Sequence, residues 1–214
     1  MKLIEIDMGT TIGSPGYKTF NANGQCITHL LLIELGRYDN ASIKKLSVTL
    51  TNDNCSPHLE VLFGNIGDVM MPFDFDSYWL LDSIAQKKRA LFDALYKGIA
   101  FAVTTLSLDI EPFKKAKDAI LADSLTTEFI WGRAKWNSSK SLKAQVFYRF
   151  NMEDIEIGVL IYAKSGKLVK EKVLAKTLPH FMFVEPLLGR LNWNDERHLA
   201  LISKDKQERL SVSL

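Results

Sequence analysis

The chain has 214 residues, 47% hydrophobic and 24% charged, with a formal net charge of +2. That composition suits a folded chain with a real core and excludes a largely disordered one. The small net charge excludes nucleic-acid or membrane binding driven by overall charge, and two cysteines are too few for a disulfide framework.

The opening MKLIEIDMGTT has one lysine and an apolar core, Leu3 to Ile6, interrupted by Glu5, which is not a secretory-signal pattern. Residues 4–11, IEIDMGTT, resemble the first phosphate-binding motif of the actin-like sugar-kinase superfamily, with Asp7, Gly9, Thr10 and Thr11 carrying the match. The resemblance implies a phosphate-holding hairpin with Asp7 facing a metal. The later Asp-x-Gly-Gly-type loops of that family are absent, and read without it the same residues are a strand followed by a turn. Residues 11–25 hold several glycines and a proline and read as an early loop or irregular hairpin.

Strand signals follow. CITHLLLIELG (26–36) is nearly continuously apolar, and SIKKLSVTLT (42–51) alternates. The short polar link between them predicts a hairpin. HLEVLFG (58–64) and DVMMPFDF (68–75) predict a second pair, turning around Asn65, Ile66 and Gly67. Pro72 is expected to confine its strand to an edge or a bulge.

From Asp76 to Leu108 the period changes. Leu81, Ile84, Leu91, Leu95, Ile99, Ala102 and Leu106 recur at three- and four-residue steps, which predicts one long helix buried most deeply in its second half. Leu91, Leu95 and Ile99 are expected at the centre of the core. The longest uncharged stretch in its apolar part, Gly98 to Leu108, is far short of the roughly 20 residues a bilayer needs. Pro112 suits the first turn of a second helix running to about Asp123, with Phe113, Ala116, Ile120 and Leu121 inward.

The period then returns to two. Residues 126–136, 142–150, 154–163 and 168–177 read as four strands joined by short polar links, an antiparallel meander. The tail is less regular, with ERHLALISK (196–204) a last strand or a short helix. Strands, then helices, then strands is the α+β pattern. The expected architecture is a single α+β domain over residues 1–214. Antiparallel strands flank a long buried central helix and a shorter second one, and the C-terminal part is the four-stranded meander.

Two Cys-x-x-His pairs, Cys26/His29 and Cys55/His58, raise the question of zinc. On a strand, Cys26 and His29 would point to opposite faces and could not share an ion. Cys55 and His58 flank a Ser-Pro turn, but one pair is half a site. Both cysteines are therefore expected to be free thiols, with no metal. Asp74 and Asp76, with Asp68 nearby, could hold a hard cation, but Asp or Ser before a helix more commonly caps it. No nucleotide loop, nucleophile elbow or zinc-protease helix occurs. No catalytic residue and no cofactor are assigned.

Charge is uneven. Residues 1–125 sum to −3 and residues 126–176 to +5. Within the basic meander, Trp131, Arg133, Lys135, Lys143 and Arg149 combine cations with large aromatics, as protein-binding anchors do. RNA-binding sheets use similar mixtures, but no consensus of such a module is present. A merely solvated face with edge-protecting lysines is the plain alternative. The expectation is a non-enzymatic cytoplasmic protein that binds another protein, an acidic partner being one option. A toxin-neutralising immunity protein of a bacterial-type cytosol is one concrete form. One alternative is an enzyme with a site near Cys55, His58, Asp68, Asp74 and Asp76. Another is a self-associating structural protein, a homo-oligomer.

Overall fold

The computed structural model describes residues 2–11, 16–39, 42–52, 56–204, 206 and 209–214, and its elements fall into two units, Met1–Thr126 and Thr127–Leu214. The α+β class and the C-terminal meander are as the sequence predicts.

In the first unit, β1 (Lys2–Leu3) leads into β2 (Glu5–Thr10), followed by α1 (Tyr17–Leu35), β3 (Tyr38–Asp39), β4 (Lys45–Thr51), β5 (His58–Leu62) and β6 (Ile66–Pro72). The main sheet has the order β2-β4-β6-β5, and β1 pairs with β3. Here the structure corrects the expected antiparallel sheet: β2 runs parallel to β4 and β4 parallel to β6, while β5 and β6 form the predicted hairpin.

The cause is α1, whose second half was read as a strand and whose first half as a loop. A short apolar run cannot by itself distinguish a buried helix from a strand. The deciding stripe starts earlier: Phe20, Asn23, Ile27 and Leu31 recur at helical spacing, and all are buried. Gly24, which resembled a turn signal, is where the helix crosses β2. A Cβ there would lie 3.1 Å from the Met8 Cε and 3.3 Å from the Met8 carbonyl oxygen. The connection from β2 to β4 is therefore a helical crossover, which joins parallel strands, and not a hairpin.

Pro72 is not on an edge strand either. β6 lies between β4 and β5, and Pro72 tolerates that position because it is the last residue of β6, past the final β5 partner and opposite Thr51. The apolar face of the sheet carries Ile6, Met8, Leu46, Val48, Leu50, Val69 and Met71, and α1 and the long helix contact these strands.

The predicted single helix is two. α2 (Phe75–Trp79) and α3 (Ile84–Thr105) are separated by residues 80–83. Ser83 opens α3 with a capping box. Its hydroxyl accepts from the Gln86 amide at 3.2 Å, and the Gln86 side chain accepts from the Ser83 amide at 3.1 Å. Asp74 caps α2 by accepting from the Ser77 amide at 2.9 Å, the capping role expected of it. Leu91, Leu95 and Ile99 are fully buried. α4 (Glu111–Ala122) carries Pro112 in its first turn, buries Phe113, Ala116 and Ile120, and leaves Leu121 half-buried. Among the described residues no helix is long and apolar enough to cross a membrane.

The second unit holds β7 (Glu128–Trp136), β8 (Leu142–Phe150), β9 (Ile155–Ala163) and β10 (Leu168–Thr177), a meander in which each strand pairs antiparallel with the next. After it come α5 (Phe181–Val184), β11 (Arg190–Trp193), β12 (His198–Ile202) and β13 (Arg209–Ser213), the last three forming a small antiparallel sheet. The ERHLALISK segment is thus a strand.

At the middle of the meander, Gly158 lies opposite Phe147, whose fully buried ring lies across it. A Cβ at Gly158 would stand 2.5 Å from the Phe147 Cζ and 2.5 Å from the Lys172 carbonyl oxygen. One neighbour is backbone and the other a packed ring, so neither can retreat. Gly158→Ala should destabilise the second unit by about 1–3 kcal/mol, as overpacking does. Phe147→Leu in the same chain should recover part of the loss in urea melts. A single variant as stable as the parent would show that the sheet yields freely there.

Candidate partner-binding face

The five sequence-selected residues are not on one surface. Directly opposed residues in an antiparallel pair share a face. Phe129 opposes Tyr148 and Trp131 opposes Val146, so these four share one side of the meander. Between Trp131 and Lys135 the register slips, because Gln145 of β8 faces three residues of β7, with Gly132 at a φ of 67° inside the bulge. Lys135, opposite Ala144, returns to the Trp131 side, and Arg133 stands exposed within the bulge. Lys143 and Arg149, at odd separation from Ala144, Val146 and Tyr148, lie on the other side.

On the first side, Trp131 and Lys135 are engaged by the end of the chain. The Lys135 ammonium donates to the Leu191 carbonyl at 3.1 Å, and the Trp193 indole donates to the Lys135 carbonyl at 3.0 Å. The Lys204 ammonium lies 5.5 Å from the Trp131 ring centroid. These contacts dock β11 on β7.

On the second side, Arg149 is held by three carboxylates. Glu128 of β7 and Glu171 of β10 accept from it at 2.5 and 2.6 Å, and Glu156 of β9 lies at 3.6 Å. Lys176 continues the line to Glu156 and Asp154 at 2.7 and 3.2 Å. This ladder ties all four strands and occupies the guanidinium, whose carbon also sits 4.6 Å from the Phe147 ring centroid.

Lys143 is different. It opposes Trp136 on one neighbouring strand and Tyr162 on the other, and Tyr162 opposes Leu168. The four form one row across the sheet. The Lys143 ammonium lies 5.8 Å from the Trp136 centroid and 5.7 Å from the Tyr162 centroid. Trp136 is 41% and Leu168 44% exposed, so the row presents an aromatic, a cation, an aromatic and an aliphatic side chain to solvent. Sequence reasoning missed Trp136, Tyr162 and Leu168. Alternation already puts Trp136 on the side away from Trp131, and the bulge that a glycine inside a strand pattern signals sets it directly opposite Lys143.

The described residues of the alternative site are each engaged locally or stand at a helix start. Cys55 lies outside the described residues. His58 pairs with Glu60 at 3.2 Å, Asp68 accepts from the Thr49 hydroxyl at 3.0 Å, and Asp74 and Asp76 begin α2. Among the described residues no three His, Cys, Asp or Glu side chains are placed to hold a metal ion. Cys26 and His29 are on a helix, so the opposite-face argument fails. Three residues apart on α1 they share a side. Cys26 is free and buried, its thiol donates to the Asn23 carbonyl at 3.3 Å, and burial pushes its pKa up to about 11. Burial also pushes His29 down to about 4.

Among the described residues β2 pairs with the parallel β4 alone and α1 is the next element, so the sugar-kinase motif does not form a hairpin there. Asp7 accepts from the Gln25 amide and pairs with Lys45 at 3.5 Å.

No family model, curated protein or solved structure matches this chain.

Proposed function

We propose that the protein acts by binding another protein, not by catalysis, and that the binding face is the row Trp136, Lys143, Tyr162 and Leu168 together with the exposed Arg133 of the β7 bulge. The observation that carries the reading is the ammonium of Lys143 set between two aromatic rings on a solvent-facing row. Aromatics with a nearby cation are the usual anchors of interfaces. Trp131, Lys135 and Arg149, singled out from the sequence with Arg133 and Lys143, support that face by fixing the strands and the tail behind it. The charge supports an acidic partner, since residues 127–214 sum to +5 while residues 1–126 sum to −3. A toxin-neutralising immunity protein of a bacterial cytosol remains the concrete form of this proposal.

Replacing Arg133 and Lys143 together by glutamate should weaken a partner's association about tenfold or more, mostly by slowing encounter, and added salt should slow the parent in the same way. The melting temperature should stay within about 1–2 °C, because surface substitutions of this kind cost little. Retention of every parental partner by the double variant would sink the proposal. Nucleic acid that copurifies with the protein and is stripped by high salt would instead make the basic strands a phosphate-binding surface.

A further inference from the structure

The first unit has a cleft of about 380 Å³ at the carboxyl ends of β4 and β6. Ligands of sheets with parallel strands sit outside those ends, and small-molecule pockets of about 300–1,000 Å³ combine apolar walls with few polar groups. Leu50 and Met71 supply the strand side, and Phe73, Tyr78 and Leu81 a second wall.

That second wall is rigid. The Tyr78 side chain is buried and its hydroxyl accepts from the Asn23 amide at 3.2 Å. Phe73 packs against Tyr78 at a centroid distance of 5.7 Å, against Phe75 at 5.0 Å and against Phe20 at 5.6 Å.

The third wall is one face of α3, where Ala90, Asp93, Ala94 and Lys97 fall at helical spacing. The adjoining stripe of Leu91, Leu95 and Ile99 is buried and large. The cleft exists because positions 90 and 94 carry only methyl groups.

Of the polar side chains at the rim, three are occupied. The Asp74 carboxylate accepts from the Ser77 amide at 2.9 Å and from its hydroxyl at 2.6 Å, and Asp93 pairs with Arg89 at 2.8 Å. Lys97 is exposed, and among the described residues it has no ion pair with a rim carboxylate or any other. Asp93 has a cationic partner and Asp74 is held by the amide and hydroxyl of Ser77, whereas Lys97 has no such partner among the described residues.

We infer that this cleft binds a small amphipathic monoanion, its apolar chain against Phe73, Tyr78 and Leu81 and its carboxylate on Lys97. The site lies in the first unit and stands independently of the partner face.

Octanoate titrated into the full chain should give saturable methyl shifts in nuclear magnetic resonance spectra, confined to Leu50, Leu81, Ala90 and Ala94. Octylamine, with the opposite head charge, should bind about fivefold or more weakly. Lys97→Met should weaken octanoate about fivefold, the loss of one exposed ion pair. Ala94→Leu fills the cleft and should abolish binding with no loss of melting temperature. If Ala94→Leu fails to fold, Ala90→Leu takes its place. Absent or scattered shifts, octylamine binding as tightly as octanoate, or undiminished binding in the cleft-filled variant would each overturn the assignment.

Discussion

Acidification from about pH 6.5 to about pH 4 should cost the first unit roughly 3 kcal/mol of stability through His29 alone. Burial on α1 lowers its pKa from 6.5 to about 4. Between those values the unfolded chain takes up a proton at His29 and the folded chain does not. The contribution is therefore complete above about pH 6.5, drains away as the pH falls towards 4, and is constant below that. A tenfold change in proton affinity is worth about 1.4 kcal/mol, which sets the magnitude. Carboxylates also titrate in the lower part of the window, so the measurement is a difference. Urea melts at pH 8, 6, 5 and 4 should show the parent losing stability faster than His29→Leu, with the gap opening between about pH 6.5 and 5. Parallel curves for the two proteins would mean that His29 is protonated in the folded state.

The same residue shows what the sequence revealed and what it hid. A core place for Cys26 and His29 was expected from their apolar company, and Cys26 is buried and His29 half-buried. That they are on a helix was not legible, because CITHLLLIEL carries no period of its own. The evidence lay upstream in Phe20 and Asn23, between glycines that resembled turn signals. Gly24 was needed for a close helix–strand crossing and not for a turn. The meander was legible to within two residues at each strand, because each strand alternates and each link is short and polar. The break between α2 and α3 was written in Ser83 and Gln86, but the apolar spacing runs on across it from Leu81 to Ile84.

The candidate face was half legible for a related reason. Residue types betrayed a cationic, aromatic surface, yet strict alternation through β7 placed Arg133 and Lys135 in line with Trp131. The bulge at Gly132 takes Arg133 out of the paired ladder and shifts the register by two residues. The shift leaves Trp136 on the Lys143 side but sets it directly opposite Lys143, while Trp131 and Lys135 hold the tail. Cross-strand partners, which set the row of Trp136, Lys143, Tyr162 and Leu168, depend on register, and register is a tertiary property.

Leu95→Ala should cost the first unit about 3–5 kcal/mol, the upper part of the range for buried leucines. Leu95 is fully buried at the centre of the Leu91, Leu95, Ile99 stripe, where α3 lies on β4 and β6. The size of the loss turns on whether the surroundings can close over the missing atoms. At Gly98, one turn further on, a Cβ would come within 2.6 Å of the Val48 Cγ1, so helix and sheet are already at their closest approach. The helix cannot settle further onto β4, and the space left by the leucine stays open. Ile84, at the start of the same helix, is 66% exposed and serves as the control. Its replacement by alanine should change stability by no more than about 0.5 kcal/mol. Denaturant melts of the two variants should therefore differ several-fold in their effect. A loss below about 1 kcal/mol at Leu95 would mean that the stripe is not the packed centre of this unit, and that α3 can move to fill the space.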